Sequence, residues 1–282
     1  MNGPKRGLKT WFDAAWPHMV LIPITCAVLY PILWVVKMAL SPGQTFDTSI
    51  SPIPTEVTFD HFSDLFAGDS QFGRQALNSI IVAGATTVVG IVLSCTAAFA
   101  FSRIRFAGRN ALLTGFLLTQ IFPGVVMTVP LYILLDTAGL LNSLTGLVLV
   151  YASTAVPFCT WMLKGYFDSI PKEMEEAAQI DGASRFDIFW RLILPLSRPA
   201  IAVTALFSFM TAWNEFILAA TFLTDESTFT LPVALQRHVG EFQTDWGSFA
   251  AGALLASTAV MAVFFAVQKH IVGGLTAGSV KG

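Results

Sequence analysis

Six long apolar runs separated by shorter polar stretches set the pattern of this chain, at about 17–40, 76–101, 110–135, 142–164, 199–223 and 249–272. A helix needs about 20 apolar residues to cross roughly 30 Å of hydrocarbon, so each run predicts one transmembrane helix. The first run is too long for a signal-peptide core and lacks an A-x-A cleavage pattern, which reads it as a retained span. Between the runs, 41–75 is rich in Pro, Ser, Thr and Asp and predicts an irregular loop with one short helix near 58–66. The stretches 136–141 and 224–248 are the other loops on that side. The expected fold class is all-α, a membrane protein of six spans.

Composition agrees with this and narrows the chemistry. Only 12% of residues are charged and mean hydropathy is +0.66, against about 25% charged in soluble domains. A net charge of −2 offers nothing to nucleic acid. Cys26, Cys95 and Cys159 sit in apolar runs without CxxC spacing, and the four histidines form no HExxH, so no metal site is expected. There is no GxSxG and no GxxxxGK[ST]. Nothing local points to hydrolysis or to a phosphate-cradling loop, so the chain reads as no enzyme and as holding no cofactor of its own.

Charge in the loops gives an orientation. With the N-terminus inside, Lys5, Arg6 and Lys9, then Arg103, Arg105 and Arg109, fall inside. So do Lys164, Lys172, Arg185, Arg191 and Arg198, and finally Lys269 and Lys281. Only Lys37, Arg74 and Arg237 fall outside, leaving 13 of 16 basic residues within. The positive-inside rule then expects both termini in the cytoplasm, with 1–16 as a cytoplasmic segment and 273–282 as a tail.

One inside stretch, 171–198, breaks the apolar pattern. Pro171 suits the first position of a helix, and Glu173, Glu175 and Glu176 suit its positive N-terminus. Gly182 interrupts, and Ser184 with Asp187 predicts a capping box opening a second short helix. Phe186, Phe189, Trp190 and Ile193 fall on one face at helical spacing, and Pro195 and Pro199 mark the end. Such a face fits either a partner's groove or the lipid headgroups, and the residues alone leave both open.

Polar groups within the runs are the other candidates. Glu215, with Trp213 and Asn214 beside it, lies about 24 Å along the fifth run from Pro199 at 1.5 Å per residue. A charge there must face a wet path or a partner group, so a translocation contact and an interhelical hydrogen bond are both readings. Gln120, Pro123, Gly124 and Pro130 predict a kinked third helix, either lining the path or accommodating packing. Asn78, Ser79, Thr86, Thr87, Ser94 and Thr96 suggest helix–helix packing in the second.

The run Glu176-Ala177-Ala178, then Gly182, then Leu194-Pro195 resembles the EAA motif of permease subunits of binding-protein-dependent ABC importers, with Leu192 standing where the usual pattern has Ile. "AAFAFSRIRFAGRN" (97–110) resembles the same family, although Ala107 replaces a common proline. "PLYILL" and "WMLKGYFDSIPKEMEEAAQIDGAS" are similar to its carbohydrate-uptake branch, and "WNEFILAATFL" and "VGGLTAGSVKG" to its MalG-like, maltose/maltodextrin members. The resemblance implies a type I ABC importer permease fold over 17–272 in a bacterial inner membrane. It implies an EAA coupling segment, 171–198, docking on an ATPase subunit through Glu176, Ala177, Ala178, Asp181, Gly182, Phe186, Phe189, Leu194 and Pro195.

The implied partners are a second, MalF-like permease, an ATPase dimer that binds the ATP and magnesium, and an extracytoplasmic sugar-binding protein. The tail would reach the ATPase interface, part of 224–248 would reach the binding protein, and the main sugar site would lie on the partner permease. A permease for a polyol, another oligosaccharide or glycerol phosphate stays open, as does a stand-alone carrier.

Overall fold

The computed structural model describes the backbone of residues 7–44, 49–239 and 244–278, and the side chains of 15–44, 49–239 and 244–269. Residues 1–6 of the predicted segment 1–16 and 279–282 of the tail therefore lie outside the described residues. The described chain is helical, its one β feature being an isolated antiparallel bridge between Val239 and Thr244.

In chain order the helices are α1 (Gly7–Leu40), α2 (Asp60–Asp64), α3 (Phe72–Arg103), α4 (Arg109–Thr119), α5 (Gly124–Thr137) and α6 (Leu144–Asp168). They continue as α7 (Lys172–Ile180), α8 (Arg185–Asp187), a π-helical turn (Ile188–Ile193), α9 (Leu194–Leu196) and α10 (Arg198–Trp213). After these come α11 (Ile217–Phe222), a 3-10 turn (Glu226–Thr228), α12 (Leu231–Gln236) and α13 (Trp246–Gly278). Among the described residues four helices are long and apolar enough to span a bilayer, or up to six if each of two bent pairs is one span.

The chain divides into two compact units. In the first, formed by residues up to Ser70 with Leu235–Leu255, α1 carries Pro17, Pro23 and Pro31 and exposes its apolar side chains from Trp16 to Leu33. His61 is buried, bonded to the Ser41 carbonyl at 2.9 Å, and its ring fills the space where a side chain at Gly247 would sit.

The second unit, Gln71–Ala234 with Ala256 onward, is organised by α3, α6 and α10. Small residues let these helices approach closely, as interior spans require. Ser94, Ala98, Cys159, Thr160, Thr204 and Ser208 are buried there, with Gly90 against the Ser208 hydroxyl. Ser94 Oγ donates to the Val156 carbonyl at 3.3 Å. Thr86 and Ser94 therefore serve packing, Asn78 and Ser79 bond the backbone of 227–231, and Thr87 and Thr96 bond carbonyls of their own helix.

Two spans differ from the helices the pattern predicts. The third is broken rather than kinked, with α4 and α5 meeting at 101° across Gln120–Pro123. Pro123 lacks an N–H and pushes the preceding residue out of the helical region, so α4 cannot continue. The fifth stops at Trp213 and resumes at Ile217 as α11. There Asn214 turns its side-chain amide back to the Met210 carbonyl at 2.9 Å, a local bond that competes with the helix ladder.

Candidate functional site

The stretch 171–198 forms the hairpin its sequence predicts, with α7 starting one residue after Pro171, which is its N-cap. Its turn is a Schellman motif. The Ala183 N–H donates to the Ala178 carbonyl at 2.9 Å, the Gly182 N–H to the Gln179 carbonyl at 3.0 Å, and Gly182 has φ +85°. The Ser184–Asp187 capping box is present. The Ser184 hydroxyl and amide, foremost among its neighbours, hold the Asp187 carboxyl below the usual carboxylate range.

The second limb departs from its predicted face. Phe186 and Trp190 are exposed, at 70% and 54%, and touch each other with ring centroids 6.1 Å apart. Phe189 and Ile193 instead turn inward with Ile188, in one core with Cys95, Ala98, Leu163 and Phe167. Phe189 packs on Phe99 at 5.0 Å, so it holds the limb to the bundle rather than facing outward. The physical reason is the π turn, which stacks residues five apart, here Ile188 over Ile193, and rotates the helix beyond it. Pro195 lies inside α9 and does not end the helix; the bend of 76° into α10 comes after it. Leu194 is half-buried against the same core. Glu176, Ala177, Asp181 and Gly182 are exposed, and Ala178 is half-buried.

At the first limb, Arg103 closes α3 and reaches three elements. Its Nε donates to Glu175 at 2.5 Å, Nη1 to Ser102 Oγ at 2.7 Å, and Nη2 to the carbonyls of Phe167 at 2.8 Å and Ile170 at 3.2 Å. Ser102 Oγ in turn donates to Asp168, which Lys164 also pairs. A cavity of about 230 Å³ opens beside the pair, lined by Phe99, Lys172, Glu176, Gln179 and Arg185 among others. Sequence reasoning counted Arg103 only as an inside charge and Glu175 only as a helix-terminus charge; 72 positions separate them.

The apolar-run candidates do not converge. Glu215 accepts from Tyr151 Oη at 2.5 Å and from the amides of Leu218 and Ala219 at 2.9 and 3.1 Å, capping α11 against α6. Trp213 is buried and stacked on Phe209. Asn214 is exposed and Pro123 caps α5. Gln120 donates to the Thr154 carbonyl at 2.9 Å, one turn from Pro157, and lines a largely apolar cavity of about 680 Å³ between α3, α5 and α6. Glu215→Ala would leave a buried phenol and two amides without an acceptor, destabilising the chain by about 2–3 kcal/mol. Thermal unfolding in detergent should show a lowered midpoint for Glu215→Ala and a smaller drop for Tyr151→Phe. An unchanged midpoint would return Glu215 to the path reading.

At the opposite end, 224–231 is pinned by side chains. Asn142, at φ 51°, accepts from the Thr224 and Asp225 amides and the Thr228 hydroxyl. Asn78 donates to the Ser227 and Phe229 carbonyls, and Ser79 Oγ accepts from the Leu231 amide.

Residues 90–276 match the family described as "Binding-protein-dependent transport system inner membrane component". The chain is 39% identical over 278 residues to the galactooligosaccharides transport system permease protein GanQ of Bacillus subtilis (strain 168), covering 98% of both chains. It is 35% identical over 283 residues to the maltose/maltodextrin transport system permease protein MalG of Escherichia coli (strain K12), covering 94% of this chain and 95% of that one. Among solved structures, a chain of a bacterial ABC transporter involved in the import of the acidic polysaccharide alginate superposes with a TM-score of 0.76 at 23% identity, over 95% of this chain and 99% of that one.

Proposed function

The chain belongs to the binding-protein-dependent transport system inner membrane component family, and from that membership we propose that it is the permease subunit of an ATP-driven importer that takes up an oligosaccharide. It is a multi-pass inner-membrane protein. Its own part is non-catalytic: it forms the path, and a separate ATPase dimer hydrolyses ATP. A second permease subunit and an extracytoplasmic sugar-binding protein complete the assembly. Oligosaccharide as the substrate class is supported by relatives of similar identity that carry galactooligosaccharides and maltodextrins. The finer reading, maltose or maltodextrin, rests on the likeness of 213–223 and 272–282 to the MalG-like branch.

The observation that carries the mechanism is the two-sided hairpin 171–196. One side is fixed to α3 and α6 through Ile188, Phe189 and Ile193, and the other leaves Phe186 and Trp190 exposed. With the basic residues inside, the hairpin lies in the cytoplasm. There it can follow closure of the ATPase dimer and rock the spans between inward- and outward-open states. Uptake of labelled maltotriose and galactotriose into vesicles holding the complete importer tests this. Uptake of one of them should require ATP and the binding protein; uptake by this chain alone, driven by an ion gradient, would overturn the reading.

A further inference from the structure

The two limbs of the hairpin are held to the bundle by different forces. The second limb is bound by apolar burial through Ile188, Phe189 and Ile193. The first, α7, has almost none. Ile180 and Met174 are exposed, Ala178 is half-buried, and the buried side chain of α7 is Glu175. A nine-residue helix is too short to hold itself in water, so its direction is set by what grips it.

We propose that Arg103 is that grip: a positioning residue that clasps α7, through Glu175, to the ends of α3 and α6 and so transmits motion between the hairpin and the spans. This role rests on the coupling function proposed for the hairpin. Side-chain exposure of 8% for Arg103 and 10% for Glu175 takes both charges out of water, where a pair persists only with good geometry and further hydrogen bonds. Those bonds are present. Nε meets the carboxylate, while Nη1 and Nη2 take Ser102 Oγ and two carbonyls at the end of α6. A planar guanidinium fixes three elements in one orientation, which the single point charge of lysine cannot do. A cavity of about 230 Å³ opens beside the pair, and Ala178 is the one apolar side chain of α7 packed on the core. Without the clasp the first limb could swing about Gly182 while the second stays seated.

The test uses the complete importer in proteoliposomes and reads sugar moved per ATP hydrolysed. Glu175→Ala should lower that ratio about tenfold, within the span of ordinary coupling free energies. Arg103→Lys, which keeps the charge and removes the fork, should lower it as well, and it serves if the alanine variant fails to assemble. A merely structural role would reduce uptake and hydrolysis together as less complex forms, leaving the ratio unchanged; an unchanged ratio in either assembled variant overturns the clasp. Failure of the underlying coupling function looks different, because then the unaltered importer would show no link between hydrolysis and uptake.

Discussion

Gly182→Pro should abolish uptake while the chain still inserts and accumulates in the membrane. At φ +85° the glycine occupies the left-handed region, and proline is locked near −65°. Proline also deletes the N–H that Gly182 donates to the Gln179 carbonyl, one of the two bonds of the Schellman turn. Both limbs then lose their mutual angle, and a lever with its elbow undone moves nothing. Gly182→Ala separates conformation from space. No atom lies within 4 Å of where its Cβ would stand, so it carries only the left-handed penalty of about 1–2 kcal/mol. Uptake should fall partially with alanine and vanish with proline, while immunoblots of the membrane fraction stay equal. Full uptake by the proline variant would mean that the hairpin angle is irrelevant to transport.

The second large effect concerns the outward aromatic pair. Phe186 and Trp190 remain exposed although Phe189, one residue before Trp190, is buried. Aromatic anchors of this kind contribute roughly 2–4 kcal/mol when they fill a partner's pocket. Phe186→Ser with Trp190→Ser should therefore weaken association with the ATPase subunit at least about thirtyfold, since each 1.4 kcal/mol is tenfold. Copurification in detergent reads this directly. The fold of the chain should be untouched, because Ile188, Phe189 and Ile193 keep their contacts. Retention of the ATPase subunit by the double variant would assign the pair to the lipid surface.

Local rules were enough for much of this architecture. Hydropathy marked the four long apolar helices, and Ser184 with Asp187 marked the start of the second limb because a capping box is contained within four residues. The EAA resemblance located the hairpin for the same reason. The features that could not be read depend on backbone register or on distance in sequence. Alpha-helical spacing put Phe186, Phe189, Trp190 and Ile193 on one face; the π turn divides them between core and surface. Pro123 signalled irregularity without its size, because a kink and a 101° break need the same residue, and nothing local marked the interruption at Asn214. Arg103 with Glu175, Glu215 with Tyr151, and Asn142 with the 224–228 turn join positions 64 to 86 residues apart, and no local pattern pairs them.

Site-specific photo-crosslinking on the assembled importer bears most closely on the lever. A photoreactive residue at Phe186 should yield an adduct with the ATPase subunit, and the same residue at Phe189 should yield adducts only within this chain. Adducts from Phe186 to lipid alone, with the ATPase subunit present and active, would contradict the idea that this hairpin is where the motor takes hold.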